Sequence, residues 1–320
     1  MVVVVCCMIM VTANVDTTSE SILFASVVLP STSSQTDAVL LAASIRDHAG
    51  LFAHAPIWFF VPEYGEQLST AVKDKLDSLN VKLVPLEIDK KVLRFPLGHY
   101  PLIAAAAESL AQGTTDFLVW LGTNTIVLQE PGAFILPDDR NFGYRPVHHT
   151  NIGSPYDAPL DPFWRLVYQW CEVPEERIFP MVTHVDGQTV RPYFNAGCLV
   201  TRPEKGLLTA WRNTFLAIYR HRSFQEFYED DERYAIFMHQ AVLSGIILRI
   251  FALDEMHELP CEYNYPLHLH DEDSTPNRPT TLEECVTVRH EGFYRDAAWA
   301  DSIPVRAPLK QWLTRHLPSP

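Results

Sequence analysis

Residues 116–131, DFLVWLGTNTIVLQEP, decide how the rest of the chain reads. Phe117 to Leu121 is an unbroken apolar run, the length and composition of a strand buried on both faces. A polar tip follows, Gly122-Thr123-Asn124-Thr125, and then a second apolar run, Ile126-Val127-Leu128. In an α/β sheet, ligand-binding groups sit where such a strand leaves the core at its carboxyl end. Here that tip carries a glycine and an asparagine and no carboxylate.

Upstream, ILFASVVLP (22–30) predicts a strand ending in Ser31-Thr32-Ser33-Ser34. Asp37 is expected to cap the helix through AVLLAASIRDHAG (38–50), which Gly50 stops. PIWFFVP (56–62) and VKLVPLEI (81–88) predict two more strands, and EQLSTAVKDKLDSLN (66–80) and PLIAAAAESLAQG (101–113) two helices. This alternation of strand and helix is the pattern of a doubly wound α/β fold with a mostly parallel sheet. It places Ser31 to Ser34 and Gly122 to Thr125 on one rim.

Downstream, NFGYRPV (141–147) predicts a strand, followed by the loop HHTNIGSPYDAPLDP (148–162) and the helix FWRLVYQWCEV (163–173). Asp186-Gly187, flanked by apolar alternation, predicts a hairpin within residues 181–203. Leu207, Leu208, Trp211, Phe215, Ile218 and Tyr219 mark one helix face; Tyr234, Phe237, Met238, Ala241 and Val242 mark another. IILRIFAL (246–253) and CVTVRH (285–290) predict late strands, and HDEDSTPNRPTT (270–281) an exposed acidic loop. No internal repeat or low-complexity linker interrupts the chain. One domain over residues 21–320 is expected, with an irregular C-terminal third.

At 320 residues, with 47% hydrophobic and 20% charged content, the chain has the make-up of a globular protein with ample core. A formal net charge of −14 argues against nucleic acid as a partner, because backbone binding needs clustered Lys and Arg. None of the six cysteines forms a C-x-x-C pair, which favours a reducing, cytoplasmic compartment. The apolar N-terminal segment, residues 1–20, begins MVVVVCCMIMVTA, about the length of a signal-peptide core. It has no Lys or Arg ahead of it and is too short to span a bilayer, so no stable membrane insertion is expected. Secretion is the alternative if residues 1–13 act as a signal.

Taken in order, several segments are similar to motifs of one family. FASVVLPSTSS resembles a first strand with its nucleotide-facing loop, and DFLVWLGTNTIVL a strand carrying an Asp-x-Asp metal motif. YFNAGCLVTRPEKGLLTAW resembles a Phe-Asn-Ala-Gly strand lining a donor sugar. FMHQAVL stands at the place of an Asp-Gln helix start, LPCEYNY resembles a Leu-Pro-x-x-Tyr-Asn turn, and VTVRHEG a metal-ligating His-x-Gly. Over residues 22–295 the chain resembles the glycogenin-like glycosyltransferases of the GT-A fold, the nucleotide-diphospho-sugar transferases. The resemblance implies a GT-A-like sheet and a nucleotide-sugar donor. Ser31, Thr32, Ser33, Asn124 and Gly197 would lie against the donor, and Asn195 and His239 at the reacting centre. The acceptor would be a small molecule or glycan.

The sequence departs from the family where the metal should bind. Asp-x-Asp holds a divalent cation on the donor diphosphate because hard cations bind carboxylates well and neutral amides poorly. Gly122 and Asn124 stand at the two aspartate positions and His239 at the acidic position before Gln240, while His290 remains. Two explanations follow. In one, a cationic side chain (Arg145, Arg191 or Arg289) stabilises the leaving diphosphate without a metal. In the other, His148, His149, His239 and His290 form a nitrogen-rich centre for Zn2+, Fe2+ or Cu2+, supporting hydrolase or lyase chemistry on a repurposed fold. A binding protein that kept the fold and lost the chemistry is a third possibility. His184 is expected to be structural or exposed, and His268 and His270 to lie on the surface.

Overall fold

The computed structural model describes residues 20–63 and 67–317. The expectations for the N-terminal apolar segment, save its last residue Glu20, fall outside the described residues. The first half alternates as the sequence predicts: β1 (Ile22–Val27), α1 (Thr32–His48), β2 (Ile57–Pro62), α2 (Thr70–Ser78), β3 (Val81–Leu86), α3 (Lys90–Leu93), α4 (His99–Ala111) and β4 (Phe117–Leu121). β5 (Thr125–Val127) and β6 (Phe142–Pro146) follow, then α5 (Pro162–Cys171), the hairpin β7 (Met181–Val182) and β8 (Thr189–Val190), and β9 (Phe194–Thr201). The chain continues through α6 (Leu207–Ile218), α7 (Arg222–Asp230), α8 (Glu232–Ile250), β10 (Met256–Glu258), β11 (Tyr265–Pro266), β12 (Thr287–Arg289), α9 (Trp299–Ser302) and α10 (Leu309–His316).

Seven strands form the central sheet in the order β10-β6-β9-β4-β1-β2-β3. β3, β2, β1 and β4 run parallel, β9 is antiparallel to both its neighbours, and β10 runs parallel to β6. This is the doubly wound, mostly parallel α/β architecture that the alternation of strands and helices predicts. Every residue of β1, β4 and β9 is buried, the polar Ser26, Asn195 and Thr201 included, as befits central strands covered on both faces. Alternation then splits each strand between two cores. Leu23, Ala25, Leu118 and Trp120 pack with α4, α6 and α8. Ile22, Phe24, Phe117 and Val119 pack with α1 and α2. Trp120 is fully buried, so Trp120→Ala would cost about 3–5 kcal/mol. A smaller sheet, β11-β12-β5, and the C-terminal helices enclose a third cluster around Ile126, Val288 and Leu313.

Two local expectations are corrected. α1 starts five residues before Asp37: Ser31 is extended and its hydroxyl accepts from the Ser34 N–H, as an N-cap should. Asp37 instead faces inward, where its carboxylate accepts from the Tyr294 hydroxyl at 2.6 Å. Residues 246–250 continue α8 and form no strand. Met238 to Leu248 are all buried, His239, Gln240 and Ser244 included, so the helix is covered on every side and the apolar run Ile246-Ile247-Leu248 carries no period to tell it from a strand. Among the described residues, no helix is long and apolar enough to cross a membrane.

Candidate active site

The sheet register brings the carboxyl ends of β1 and β4 to one rim. Ala25 pairs with Trp120, and the Ser26 hydroxyl donates to the Leu121 carbonyl at 2.6 Å. From there Gly122 donates its N–H to the Gly197 carbonyl (2.8 Å), tying the tip after β4 to β9. The His290 N–H donates to the Asn124 carbonyl (2.9 Å), and Thr125 pairs with Arg289 across β5 and β12. Three segments far apart in sequence, 122–124, 195–197 and 289–291, thereby meet.

Beside them opens a cavity of about 310 Å³. Asn195, Ala196 and Gly197 of β9 line it together with His239 and Gln240 of α8. Tyr100 of α4, His148 and His149 after β6, and His268, Arg289 and Glu291 complete its wall. The polar groups on β9 are already organised: Asn195 Oδ1 accepts from the Gly197 N–H (2.9 Å), and Gln240 Oε1 from the Ala196 N–H (3.0 Å).

Arg289 is the cation of this cavity. Its Nε donates to Glu291 Oε1 at 2.5 Å, and Asn124 Nδ2 donates to the same oxygen at 2.8 Å. Burial pushes the Glu291 carboxyl up, but Arg289 outweighs it and holds the group below the usual carboxylate range. Glu291 thus fixes one edge of the guanidinium, and Nη1 lies beside Gly197. The other two arginines considered are committed elsewhere. Arg145 donates to Glu258, to the Leu259 carbonyl and to His184 Nδ1; Arg191 donates to Ser154 and to the Pro155 and Ala158 carbonyls.

The histidines do not assemble into the expected metal centre. His239 Nδ1 lies 2.9 Å from the Ile236 carbonyl and must donate to it, which leaves Nε2 as an acceptor. Burial pushes its pKa down to about 3, so the ring is neutral. His148 Nε2 bonds the Asn264 carbonyl (3.2 Å), and burial lowers its pKa too. His149 sits at the mouth near Asp186 and Glu272. His290 is fully buried and lines a different cavity: Nδ1 accepts from the Gly292 N–H (2.9 Å), and Nε2 faces Asp37 Oδ1 at 3.9 Å. Among the described residues, no group of three or more His, Cys, Asp or Glu is placed to hold a metal ion. The donors that are present, an amide at Asn124 and a glycine at 122, do not suit Mg2+ or Mn2+ either.

Ser31 and Thr32 are exposed at the start of α1, with Ser33 half-buried behind them, and none of the three lines this cavity. Tyr100 and Glu291 are wall residues that sequence reasoning did not single out, and His268, expected on plain surface, also lines the wall. Their signal is weak: Tyr100 opens an alanine-rich helix, and Glu291 occupies the variable place of the His-x-Gly motif. His184, expected to be structural or exposed, is buried between Arg145 (2.7 Å) and Asp273 (3.3 Å).

No curated protein matches the chain. Among solved structures, a crystal structure of the galactosyltransferase LgtC in complex with donor and acceptor sugar analogs is similar to it. The identity is 14% and the TM-score 0.47, over 92% of this chain and 100% of that one. A family model described as the Rhodobacterales glycosyltransferase domain matches residues 25–247, well over half of the chain. The chain belongs to the Rhodobacterales glycosyltransferase domain family.

Proposed function

We propose that this protein transfers a sugar from a nucleotide donor to a hydroxyl of a small-molecule or glycan acceptor, with Arg289 taking the part a divalent cation plays elsewhere. In such a transfer the acceptor oxygen bonds the anomeric carbon, the bond from that carbon to the diphosphate breaks, the negative charge grows on the leaving diphosphate, and the acceptor's proton passes to that departing diphosphate oxygen. A fixed guanidinium beside that oxygen stabilises the charge where it develops. The observation that carries this reading is the Arg289–Glu291–Asn124 cluster. It occupies the junction of the two strand tips, and Glu291 takes the Nε edge while Nη1 sits over Gly197.

The remaining roles follow from chemistry. Asn195 and Gly197 present a polar edge and open backbone to the donor sugar, and His239 Nε2 accepts from a sugar hydroxyl. A ring with a pKa of about 3 is too weak a base to take a proton at neutral pH, so His239 acts as a hydrogen-bond acceptor. The hydroxyls of Ser31, Thr32 and Ser33, at the head of α1 on the same rim, suit the nucleotide portion. Residues 21–320 work as one unit in this account. Free thiols at Cys171, Cys198, Cys261 and Cys285 support a cytoplasmic setting.

The test is release of nucleoside diphosphate from a panel of nucleotide sugars in excess chelator. Turnover of at least one donor, lost in Arg289→Ala, is expected. No turnover of any donor with any acceptor, with or without Mn2+, rejects the activity.

A further inference from the structure

At the other end of the β5–β12 ribbon from Arg289 lies a separate cavity of about 480 Å³, enclosed by α1, the turn before β12 and α10. Leu128 and Leu309 give it an apolar floor, and Trp312, His48, Glu283 and Arg315 stand around its rim. The indole is fixed on several sides. Its Nε1 donates to Asp47 (2.7 Å), His316 stacks on it with centroids 4.2 Å apart, and His48 meets it edge-on at 4.7 Å.

Two lining groups carry buried atoms without a partner. Glu283 Oε1 accepts from the Arg306 N–H (2.7 Å), but Oε2 has no hydrogen bond, and neither has His48 Nε2. Orphaned buried polar atoms are costly, and each calls for a partner that the protein itself does not supply. Burial also lowers the His48 pKa, so its ring offers a neutral hydrogen-bonding nitrogen.

We propose that this cavity is a second carbohydrate site, which seats a neutral sugar ring of an extended acceptor glycan. The chemistry of the walls selects that class. An apolar floor beside an aromatic ring fits the C–H face of a pyranose, and a carboxylate and an imidazole lacking partners fit its edge hydroxyls. Glu283 and Arg315 have opposite charge, so the site has no net preference for an ion. Its placement fits the same occupant: from Arg289 to Cys285 the ribbon runs about 13 Å, within reach of one oligosaccharide lying along it. The assignment of an acceptor glycan rests on the glycosyl-transfer reading of the cleft, whereas sugar binding at Trp312 does not.

Saturation-transfer NMR on the full chain, with methyl glycosides of glucose, galactose and N-acetylglucosamine and their disaccharides as probes, tests this. At least one probe is expected to bind, at least tenfold more weakly in Trp312→Ala and in Glu283→Gln, and unchanged in Arg289→Ala. Glu283→Gln keeps the acceptor for Arg306, so its loss of binding at an unchanged melting temperature separates recognition from folding. No saturation of any probe, or binding indifferent to both rim variants, overturns the second site. Binding abolished by Arg289→Ala also overturns it, because the sugar then sits in the cleft. Loss of donor turnover with intact glycoside binding rejects the cleft assignment and leaves the Trp312 site standing.

Discussion

The Arg289 guanidinium lies against Gly197: a Cβ added to that glycine would fall 2.6 Å from Nη1 and 3.1 Å from Asn195 Oδ1. The glycine is therefore needed for the space above it and not for its backbone angles. The nearest obstacle is the far end of a long side chain, held by Glu291 along its Nε edge only, so Gly197→Ala should fold, at a cost within about 1 kcal/mol. It should displace Arg289 and weaken donor binding at least about tenfold, or about 1.4 kcal/mol. Calorimetry of donor binding alongside thermal melting checks both halves.

Arg289 itself gives a graded series. Arg289→Ala removes a charge-assisted contact of about 1.5–3 kcal/mol, equal to a tenfold to hundredfold loss. Arg289→Lys keeps the charge but loses the planar fork, and should fall between the two. Added Mn2+ should rescue neither, since the pocket offers the ion no carboxylate pair. Titration of each variant with nucleoside diphosphate, with and without Mn2+, reads the order directly.

Rebuilding the missing motif should not restore a metal site. In Gly122→Asp/Asn124→Asp both carboxylates return, but the new side chain at 122 meets residue 124 (its Cβ lies 2.8 Å from the present Asn124 Oδ1). The third ligand also stays absent, because His290 Nδ1 is taken by Gly292 and Nε2 faces Asp37. Manganese binding followed by electron paramagnetic resonance should stay weaker than about millimolar, an affinity of about 4 kcal/mol. Micromolar binding would show that the pocket had kept its metal geometry.

The buried histidines predict how stability responds to acid. Burial lowers the pKa of His99 to about 4, of His239 and His290 to about 3, and of His148 well below its usual value. The unfolded chain takes up these protons near pH 6.5 and the folded chain does not. The stability is therefore present above pH 6.5 and lost as pH falls toward 3–4. Asp37 opposes this: burial raises it to about 6, so its contribution is present below about pH 4 and lost as pH rises through 6. His48, His184, His268 and His270 are lowered too, while Glu108 is raised like Asp37, so the histidines outnumber the opposing carboxylates and the melting temperature falls between pH 7 and 5. His239→Gln should keep about 1–2 kcal/mol of the stability that the wild type loses over that range, and so show a smaller fall. An equal fall in the variant would mean that His239 is not held neutral.

The sequence carried the fold where period and punctuation agreed. The apolar runs of β1 and β4 and the glycine after α4 mark the parallel half of the sheet, whereas β9 reads only as part of the 181–203 hairpin and of the Phe-Asn-Ala-Gly motif. The sequence failed at residues 246–250, where a helix covered on every side mimics a strand, and at the head of α1, where Ser31 outcompeted Asp37 for the cap. Of the residues around the cleft, Asn195, Gly197 and His239 fall on motif positions, whereas Arg289 is one of three arginines the sequence offers and Asn124 meets the cleft only through Glu291. Orientation was not legible: residues 289, 290 and 291 point alternately, so Arg289 and Glu291 face the cleft while His290, the motif residue, faces away. That alternation removes His290 from the cleft; His148, His149 and His239 share its wall, but among the described residues no three such groups are placed to hold a metal ion.

Binding of a nucleoside diphosphate to the full chain in excess chelator, compared between wild type and Arg289→Ala, tests the central claim most directly. A wild-type Kd unchanged by Mn2+, and at least tenfold weaker binding in Arg289→Ala, is the predicted result. Binding that appears only with a divalent cation, or that survives Arg289→Ala intact, would contradict an arginine in place of the metal.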